Sequence, residues 1–311
     1  MSTAWLFPGQ GSQAVGMAKD VLEASAAARE VFARADEALG EPLSRLILEG
    51  PEDKLTLTAN AQPAIVTTSC AVLAAIRERL PSLPLPAFGA GHSLGEYSAL
   101  VAAGALSLED AVRTVRARGL AMQDAVPPGT GAMAAVMGIE PAKLLELCAA
   151  AAQDQVVSPA NFNAPGQIVV AGHAAAVSRI VELVAGEKGK AILLKVSAPF
   201  HCALMAPAAR VVDAKLGAVT IKAPAFPIVA NVDGQPNQEA ARVRPLLVGQ
   251  VDGAVRWDES VRLMAGSGVD RALEIGPGKV LAGLVKRIAK DLRVLSVGDV
   301  AGLDAIAAFL G

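Results

Sequence analysis

Charge of either sign is nearly absent in the balance of this chain: 28 Lys and Arg stand against 30 Asp and Glu over 311 residues, a formal net charge of −2. Such a balance excludes the polybasic surfaces that hold nucleic acid or an anionic membrane. Long hydrophobic runs are missing too. Hydrophobic residues make up 53% of the sequence, yet they are largely alanine and valine, and no uninterrupted stretch is long enough to cross a bilayer. The N-terminus reaches Pro8-Gly9-Gln10-Gly11 before an apolar secretory core could form. Cysteines number only three (Cys70, Cys148, Cys202), odd in count and without metal spacing, so a reducing cytoplasm is the expected location. With three histidines (His92, His173, His201), no metal centre is expected, and any acid–base role has few candidates.

What the chain does have is glycine in telling places. Gly91-His92-Ser93-Leu94-Gly95 fits Gly-x-Ser-x-Gly, a serine on a sharp strand-to-helix turn too tight for side chains on either flank. Ala87–Ala90 reads as the end of a buried strand and Leu94–Ala103 as the start of a small-residue helix. The pattern alone is equally that of a packing turn whose serine caps a helix.

In chain order, strands and helices alternate. Ala4–Phe7 is a strand ending in the loop Pro8–Gln13, which has backbone amides suited to an anion but no Gly-Lys-Ser/Thr of a phosphate-binding loop. Helices are expected over roughly 15–39 and 60–80. Ser107 and Asp110 form a capping box for a helix to about Val126. At 100° per residue, Ala111, Val115, Gly119 and Met122 share its inner face and Arg118 lies at the border, so its cation needs an anion or a buried acidic partner. Arg113 and Arg116 read as surface charges. Residues 128–197 form a βαββαβ unit: strands Ala132–Met137, Val156–Phe162, Gln167–Ala171 and Ala191–Val196, with helices Pro141–Gln153 and 173–185. Proline-containing hinges flank it, and a cleft between two units is a usual substrate site. His201 sits in the second hinge, downstream of the serine, and is the natural general base. His92 is read as bracing the strand, and His173 as a surface group. Strands Pro227–Val232, Arg271–Ile275 and Leu292–Val297 then complete the larger domain, with helix 279–290 entered through Gly276–Lys279, whose turn punctuates strand and helix.

A hydrolase triad needs an acid between serine and histidine. Asp110, Asp124 and Asp154 are the aspartates there; Asp110 is committed to a cap and none lies in a strand-end loop. That gap argues against an ordinary α/β-hydrolase.

Seven segments occur together: Phe7–Gln13, Gly91–Tyr97, Arg118-Gly119 with Met122-Gln123, Gly129–Met133, Asn161-Phe162-Asn163 with Pro165-Gly166-Gln167, Phe200-His201, and Glu274–Gly278. In this combination the chain, from residue 4 to about 290, resembles the malonyl-CoA:acyl carrier protein transacylases. The resemblance implies an α/β fold, a hydrolase-like core with a parallel sheet (1–127 and 198–311) interrupted by a ferredoxin-like α+β subdomain (128–197). It implies Ser93 as nucleophile, His201 as base, and an oxyanion hole from the amides of Leu94 and Gln10. Arg118 would hold the malonyl carboxylate as a bidentate partner. Gln250 matches the residue that orients the histidine in place of an acid: a neutral carbonyl acceptor fixes the tautomer without repelling the substrate anion. Met122, Asn161, Asn163 and Phe200 match substrate-pocket positions, and Phe200 would crowd an α-methyl branch, worth about 1–3 kcal/mol of discrimination. Malonyl-CoA is then a substrate, no cofactor is bound, and the chain acts as a monomer.

The segment around Gln250 departs from the family, which commonly has an aromatic or basic neighbour and a proline where Ala254 stands. Carrier proteins are acidic, so Lys286, Arg287 and Lys290, with Lys188 and Lys190, are the candidate docking residues. A hydrolase clearing acyl groups from carriers is the second possibility, disfavoured by Arg118. A non-catalytic partner protein is the third, disfavoured because every expected catalytic residue type is present.

Overall fold

The computed structural model describes residues 2–311. The first half of the chain runs through β1 (Ser2–Phe7), α1 (Lys19–Ala24), α2 (Ala26–Leu39), α3 (Leu43–Glu49), α4 (Glu52–Thr56), α5 (Thr58–Arg79), β2 (Phe88–Gly91), α6 (Gly95–Ala102) and α7 (Leu108–Asp124). A βαββαβ unit follows: β3 (Gly131–Met137), α8 (Pro141–Ala152), β4 (Val157–Ala164), β5 (Gln167–His173), α9 (Ala174–Gly186) and β6 (Lys190–Leu193). The chain then returns through α10 (Ala206–Gly217), β7 (Ile228–Val229), β8 (Pro236–Asn237), α11 (Ala240–Asp252), α12 (Trp257–Gly266), β9 (Val269–Ile275), α13 (Val280–Ile288), β10 (Arg293–Val297) and α14 (Val300–Leu310).

Two sheets result. The larger has the order β10-β9-β1-β2-β7-β8, parallel except for the β7–β8 pair. A parallel sheet needs both faces covered, and β1 shows why its sequence complies. Trp5 and Phe7 point into one core with α2, α5 and α7, while Ala4 and Leu6 point into a second core with Trp257, Val261 and Leu281. Alternate residues thus serve opposite cores, as a period of two requires. The smaller sheet is antiparallel, ordered β4-β5-β3-β6, and joins the larger part where Phe162 donates to the Val255 carbonyl and Val255 to that of Ala160, each at 2.8 Å. Beyond the carboxyl ends of β1 and β2, where the chain passes from one side of β1 to the other, lie the Pro8–Gly11 loop and the Ser93 turn. This crevice is where open α/β sheets bind ligands.

Several elements differ from the sequence reading. The expected helix 15–39 breaks at Ser25, whose hydroxyl accepts from the Ala28 amide at 3.0 Å and starts α2. The expected strands 191–196 and 227–232 shorten to Lys190–Leu193 and Ile228–Val229. Residues 194–196 leave the sheet to line a cavity, and Asn231 turns away to hold the serine turn. Helices α10, α11 and α12 are additional to the sequence reading; α11 buries Val243, Leu247 and Val251 and α12 buries Trp257, Val261 and Met264 on one face each. Helix α5, with mean hydropathy 1.3 over its apolar window, has the length and apolarity of a membrane span, and 89% of that window is buried inside the protein.

Gly119 sits where α7 meets α5. A Cβ there would stand 2.7 Å from the Thr58 carbonyl oxygen and 2.8 Å from the Ala59 Cα. Gly119→Ala is expected to destabilise the protein by about 1–3 kcal/mol through overpacking, outweighing the gain in helix propensity. Urea unfolding checks this; an unchanged or raised midpoint would show that the helices can part without cost.

Candidate active site

The Gly91–Gly95 turn is built by exclusion of side chains. A Cβ on Gly91 would overlap the Gly95 carbonyl group, and one on Gly95 would overlap the Phe7 carbonyl oxygen. Between them Ser93 is held at φ 51°, a left-handed conformation that costs a non-glycine residue energy and lifts its side chain out of the strand. Asn231 clamps the turn: its Oδ1 accepts from the Ser93 amide at 2.6 Å and its Nδ2 donates to the Gly91 carbonyl at 2.7 Å. The Asn231 amide in turn donates to Glu96 Oε2 at 2.9 Å.

Ser93 Oγ lies 2.7 Å from His201 Nε2. His201 is also left-handed, φ 60°, in the irregular segment after β6, and is buried. Its Nδ1 lies 2.8 Å from the main-chain carbonyl oxygen of Gln250. A carbonyl can only accept, so Nδ1 carries the proton and Nε2 presents a lone pair to the serine hydroxyl. That carbonyl belongs to the last turn of α11, where helix carbonyls have no intrahelical partner and the dipole is negative. The expected orienting role therefore falls to the backbone of Gln250, not to its side chain. Burial first, and the nearby Arg118 cation second, push the imidazole down to about 3. The base is neutral and accepting at any ordinary pH.

Arg118 reaches this pair from α7 and is 1% exposed. Its guanidinium donates to Gln62 Oε1 at 2.7 Å, to Ser93 Oγ at 3.1 Å and to Gln250 Oε1 at 3.0 Å. Its Nε has no partner among the described residues, and no carboxylate pairs with it directly. The Gln250 amide is oriented from below: Nε2 donates to the Ser93 carbonyl at 3.0 Å and to Glu96 Oε2 at 2.7 Å. Above these groups lies a cavity of about 260 Å³ lined by Gln10, Gln62, Ser93, Arg118, Met122, Met133, Asn161, Phe200 and His201.

Five of the expected residues thus converge with Ser93 and His201: Gln10, Arg118, Met122, Asn161 and Phe200. Leu94 is buried beside them as the residue before α6. Asn163 is set apart. Its Oδ1 meets His92 Nε2 at 2.9 Å and it lines a neighbouring hollow with Gln167 and Leu284. His92 packs beside Trp257, with ring centroids 5.7 Å apart, in the bracing role expected of it. His173 accepts from the Val156 amide at 2.9 Å, so it is tied into the small sheet. Ser107 caps α7 by accepting from the Asp110 amide at 3.0 Å, and Arg113 is exposed as expected, paired with Asp110, but Arg116 is not a free surface charge: it is half-buried and bonded to Asn60 and Glu41. Glu274 accepts from the Leu281 and Ala282 amides at 2.8 and 3.1 Å, so the chain's own carboxylate occupies the start of α13. Lys188, Lys190 and Lys286 are exposed, whereas Arg287 reaches across to Gln167 Oε1 and the Pro165 carbonyl.

The acyl transferase domain model matches residues 4–304. The chain belongs to the acyl transferase family. It is 46% identical over 309 residues to the malonyl CoA-acyl carrier protein transacylase of Haemophilus influenzae, covering 99% of this chain and 98% of that protein. The crystal structure of an acyl carrier protein S-malonyltransferase from Vibrio cholerae superposes with a TM-score of 0.96 at 46% identity, over 98% of this chain and 100% of that one. A type II PKS acyl carrier protein in complex with its malonyl-transacylase includes a chain matching at TM-score 0.94 and 43% identity, over 98% of both.

Sequence reasoning about this family member missed Gln62, Asn231 and Glu96. Gln62 is a buried amide before Pro63 in an apolar helix, and Asn231 a polar residue just past a strand end; each was a signal available in the chain. The His201 ring is expected to keep its neutral carbon-bound proton shifts from about pH 8 down to pH 5. A histidine in water would titrate near 6.5. Side-chain NMR of the folded protein checks this, and a midpoint near 6.5 would contradict the buried, cation-flanked setting.

Proposed function

We propose that this chain moves a malonyl group from malonyl-CoA to the phosphopantetheine thiol of an acyl carrier protein, through a malonyl ester on Ser93. The observation that carries this reading is Arg118: a buried guanidinium 3.1 Å from Ser93 Oγ with no carboxylate of its own. A buried cation whose direct partners are all neutral suits an acyl group that brings a carboxylate into contact with it. The names of the relatives support the same substrate and partner.

In the first half-reaction Ser93 Oγ attacks the thioester carbonyl while its proton passes to His201 Nε2. The carbonyl oxygen takes on negative charge, which the amides of Leu94 and Gln10 would hold; one such donor is worth about 3–4 kcal/mol. The carbon–sulfur bond then breaks and His201 returns the proton to the CoA thiolate. The second half runs in reverse, with the carrier's thiol giving its proton to His201 and attacking the ester. The imidazolium that forms twice per cycle is steadied by the Gln250 carbonyl at the negative end of α11. The substrate carboxylate helps as well. Pairing with Arg118 offsets one of the three effects that keep His201 acidic, burial, Arg118 and His92, so the correct acyl group strengthens its own base. Met122 and Phe200 wall the acyl chain, and a dry cleft protects the ester from water.

The strand order of the small sheet supports a ferredoxin-like subdomain at 128–197, set into a hydrolase-like core of residues 1–127 and 198–311. Lys188, Lys190 and Lys286 remain available for an acidic carrier, and Arg287 would have to exchange Gln167 for it. Three buried, unpaired cysteines suit a reducing cytoplasm.

Intact-mass measurement after mixing with malonyl-CoA alone is expected to show a malonyl adduct, absent in Ser93→Ala; an adduct persisting there would move the nucleophile elsewhere. Arg118→Ala is expected to cut malonyl loading by about 10²-fold or more, the scale of losing a buried charge partner, while acetyl loading holds or rises because His201 loses a neighbouring cation. Equal losses for both acyl groups, compared by rapid-quench mass spectrometry, would remove Arg118 from the carboxylate role. Gln250→Ala leaves the main-chain acceptor of His201 in place, so malonyl loading is expected to fall far more than acetyl loading. A parallel collapse of both would show that the side chain holds the base.

A further inference from the structure

We infer that Glu96 is the resting counter-charge of Arg118, and that it takes a proton from solvent when a substrate carboxylate replaces it on that cation. The inference rests on the proposed malonyl chemistry and extends it to the protonation state of the site.

Glu96 lies at the start of α6, three residues after Ser93, and is 2% exposed. Among the described residues no cation pairs with it directly. Its Oε2 accepts from the Asn231 amide at 2.9 Å and from Gln250 Nε2 at 2.7 Å, and Gln250 Oε1 accepts from Arg118 at 3.0 Å. The amide thus joins carboxylate to guanidinium in a fixed sense: a carboxylate only accepts and a guanidinium only donates, so Gln250 cannot flip. The charged and titratable neighbours are few. Arg118 faces Glu96 from α7, Asp233 from the loop after β7, and Tyr97 from its own helix. His201 and His92 stand beyond Ser93, and burial pushes both towards the neutral form. Helix α5 carries the Cys70 thiol, raised to about 12 by burial, and Arg77, which donates to the Ala102 carbonyl at the opposite end of α6. Asp233 is itself paired with Arg242 at 3.2 Å.

Within this enclosure the charges cancel only in particular combinations. Without substrate, Arg118 is balanced by ionised Glu96. With a malonyl carboxylate on Arg118 and Glu96 still ionised, two anions would share one cation in a buried site, which is costly. A proton on Glu96 restores neutrality. Oε1, which takes no hydrogen bond among the described residues, is the oxygen free to carry it. Burial already holds this carboxyl at about 7, with Asp233 raising it and Arg118 among the influences lowering it. Neutralising Arg118 therefore moves Glu96 further towards the acid form. Glu96 acts through Gln250 and Asn231 and is a positioning residue.

The test is calorimetric binding of a malonyl-CoA analogue, with a methylene in place of the thioester sulfur, to the intact protein at about pH 8 in two buffers of different ionisation enthalpy. Close to one proton is expected to be taken up per malonyl analogue and none for the acetyl analogue, which carries the same coenzyme phosphates. Malonyl-analogue affinity should fall by up to about tenfold per pH unit above neutrality, with acetyl-analogue affinity flat. Glu96→Gln, which keeps the acceptor oxygen but cannot ionise, should abolish the uptake. No buffer dependence in the wild-type protein, or the same uptake in Glu96→Gln, would overturn the inference; the wild-type comparison stands even if the variant does not fold. Ser93 loading by malonyl-CoA, read by mass in parallel, separates the two ideas. Loading without proton uptake overturns the role of Glu96 alone, and absence of loading overturns the malonyl reading.

Discussion

A positive charge kept out of water, with no acid bonded to it, is the condition around which this molecule is arranged. Arg118 has neutral acceptors on three sides, Gln62, Ser93 and Gln250. Three amide or hydroxyl oxygens bond it directly, and the nearest carboxylate, Glu96, is held one amide away behind Gln250. Had an aspartate stood in place of Gln62, the guanidinium would be a finished ion pair and of no use to an incoming anion. The neighbouring base is chosen under the same constraint. Beside a buried cation an imidazole resists protonation, and its partner is a helix-end carbonyl instead of a carboxylate, so no anion is bonded to the base.

The serine turn is the mechanical counterpart of that electrostatic arrangement. Two left-handed non-glycine residues, Ser93 and His201, face each other across the junction of the two sheets. Such conformations persist only where their surroundings over-determine them. Here the surroundings are the close approach of Gly91 and Gly95 to backbone, the Asn231 clamp, and the bridge at Val255 that fixes the small sheet to the segment between α11 and α12.

Much of this was legible in the chain. The Gly-x-Ser-x-Gly turn, the inward arginine and the histidine in a proline-flanked hinge each follow from local rules, and the βαββαβ order of residues 131–193 was readable from alternation and turns. Helices α10, α11 and α12 were not, although Val243, Leu247 and Val251 and then Trp257, Val261 and Met264 recur at helical spacing, because Pro207 and Pro245 read as breaks in the pattern. That opacity hid the position of Gln250 on a helix end, and with it the difference between a side-chain and a main-chain acceptor. Asn231 and Glu96 were hidden for another reason. A buried polar network exists only once distant segments meet, and Asn231 is 138 residues from the amide it holds.

Gln250 serves two masters with two chemically separate halves. Its carbonyl, which every amino acid possesses, faces His201; its amide, which few possess, faces Arg118 and Glu96. Mutation can rewrite the second half at will, but the first can change only if the end of α11 moves. Acyl preference in this scaffold is therefore open to drift by single substitutions, whereas the basicity of the histidine is inherited with the backbone and is protected from them.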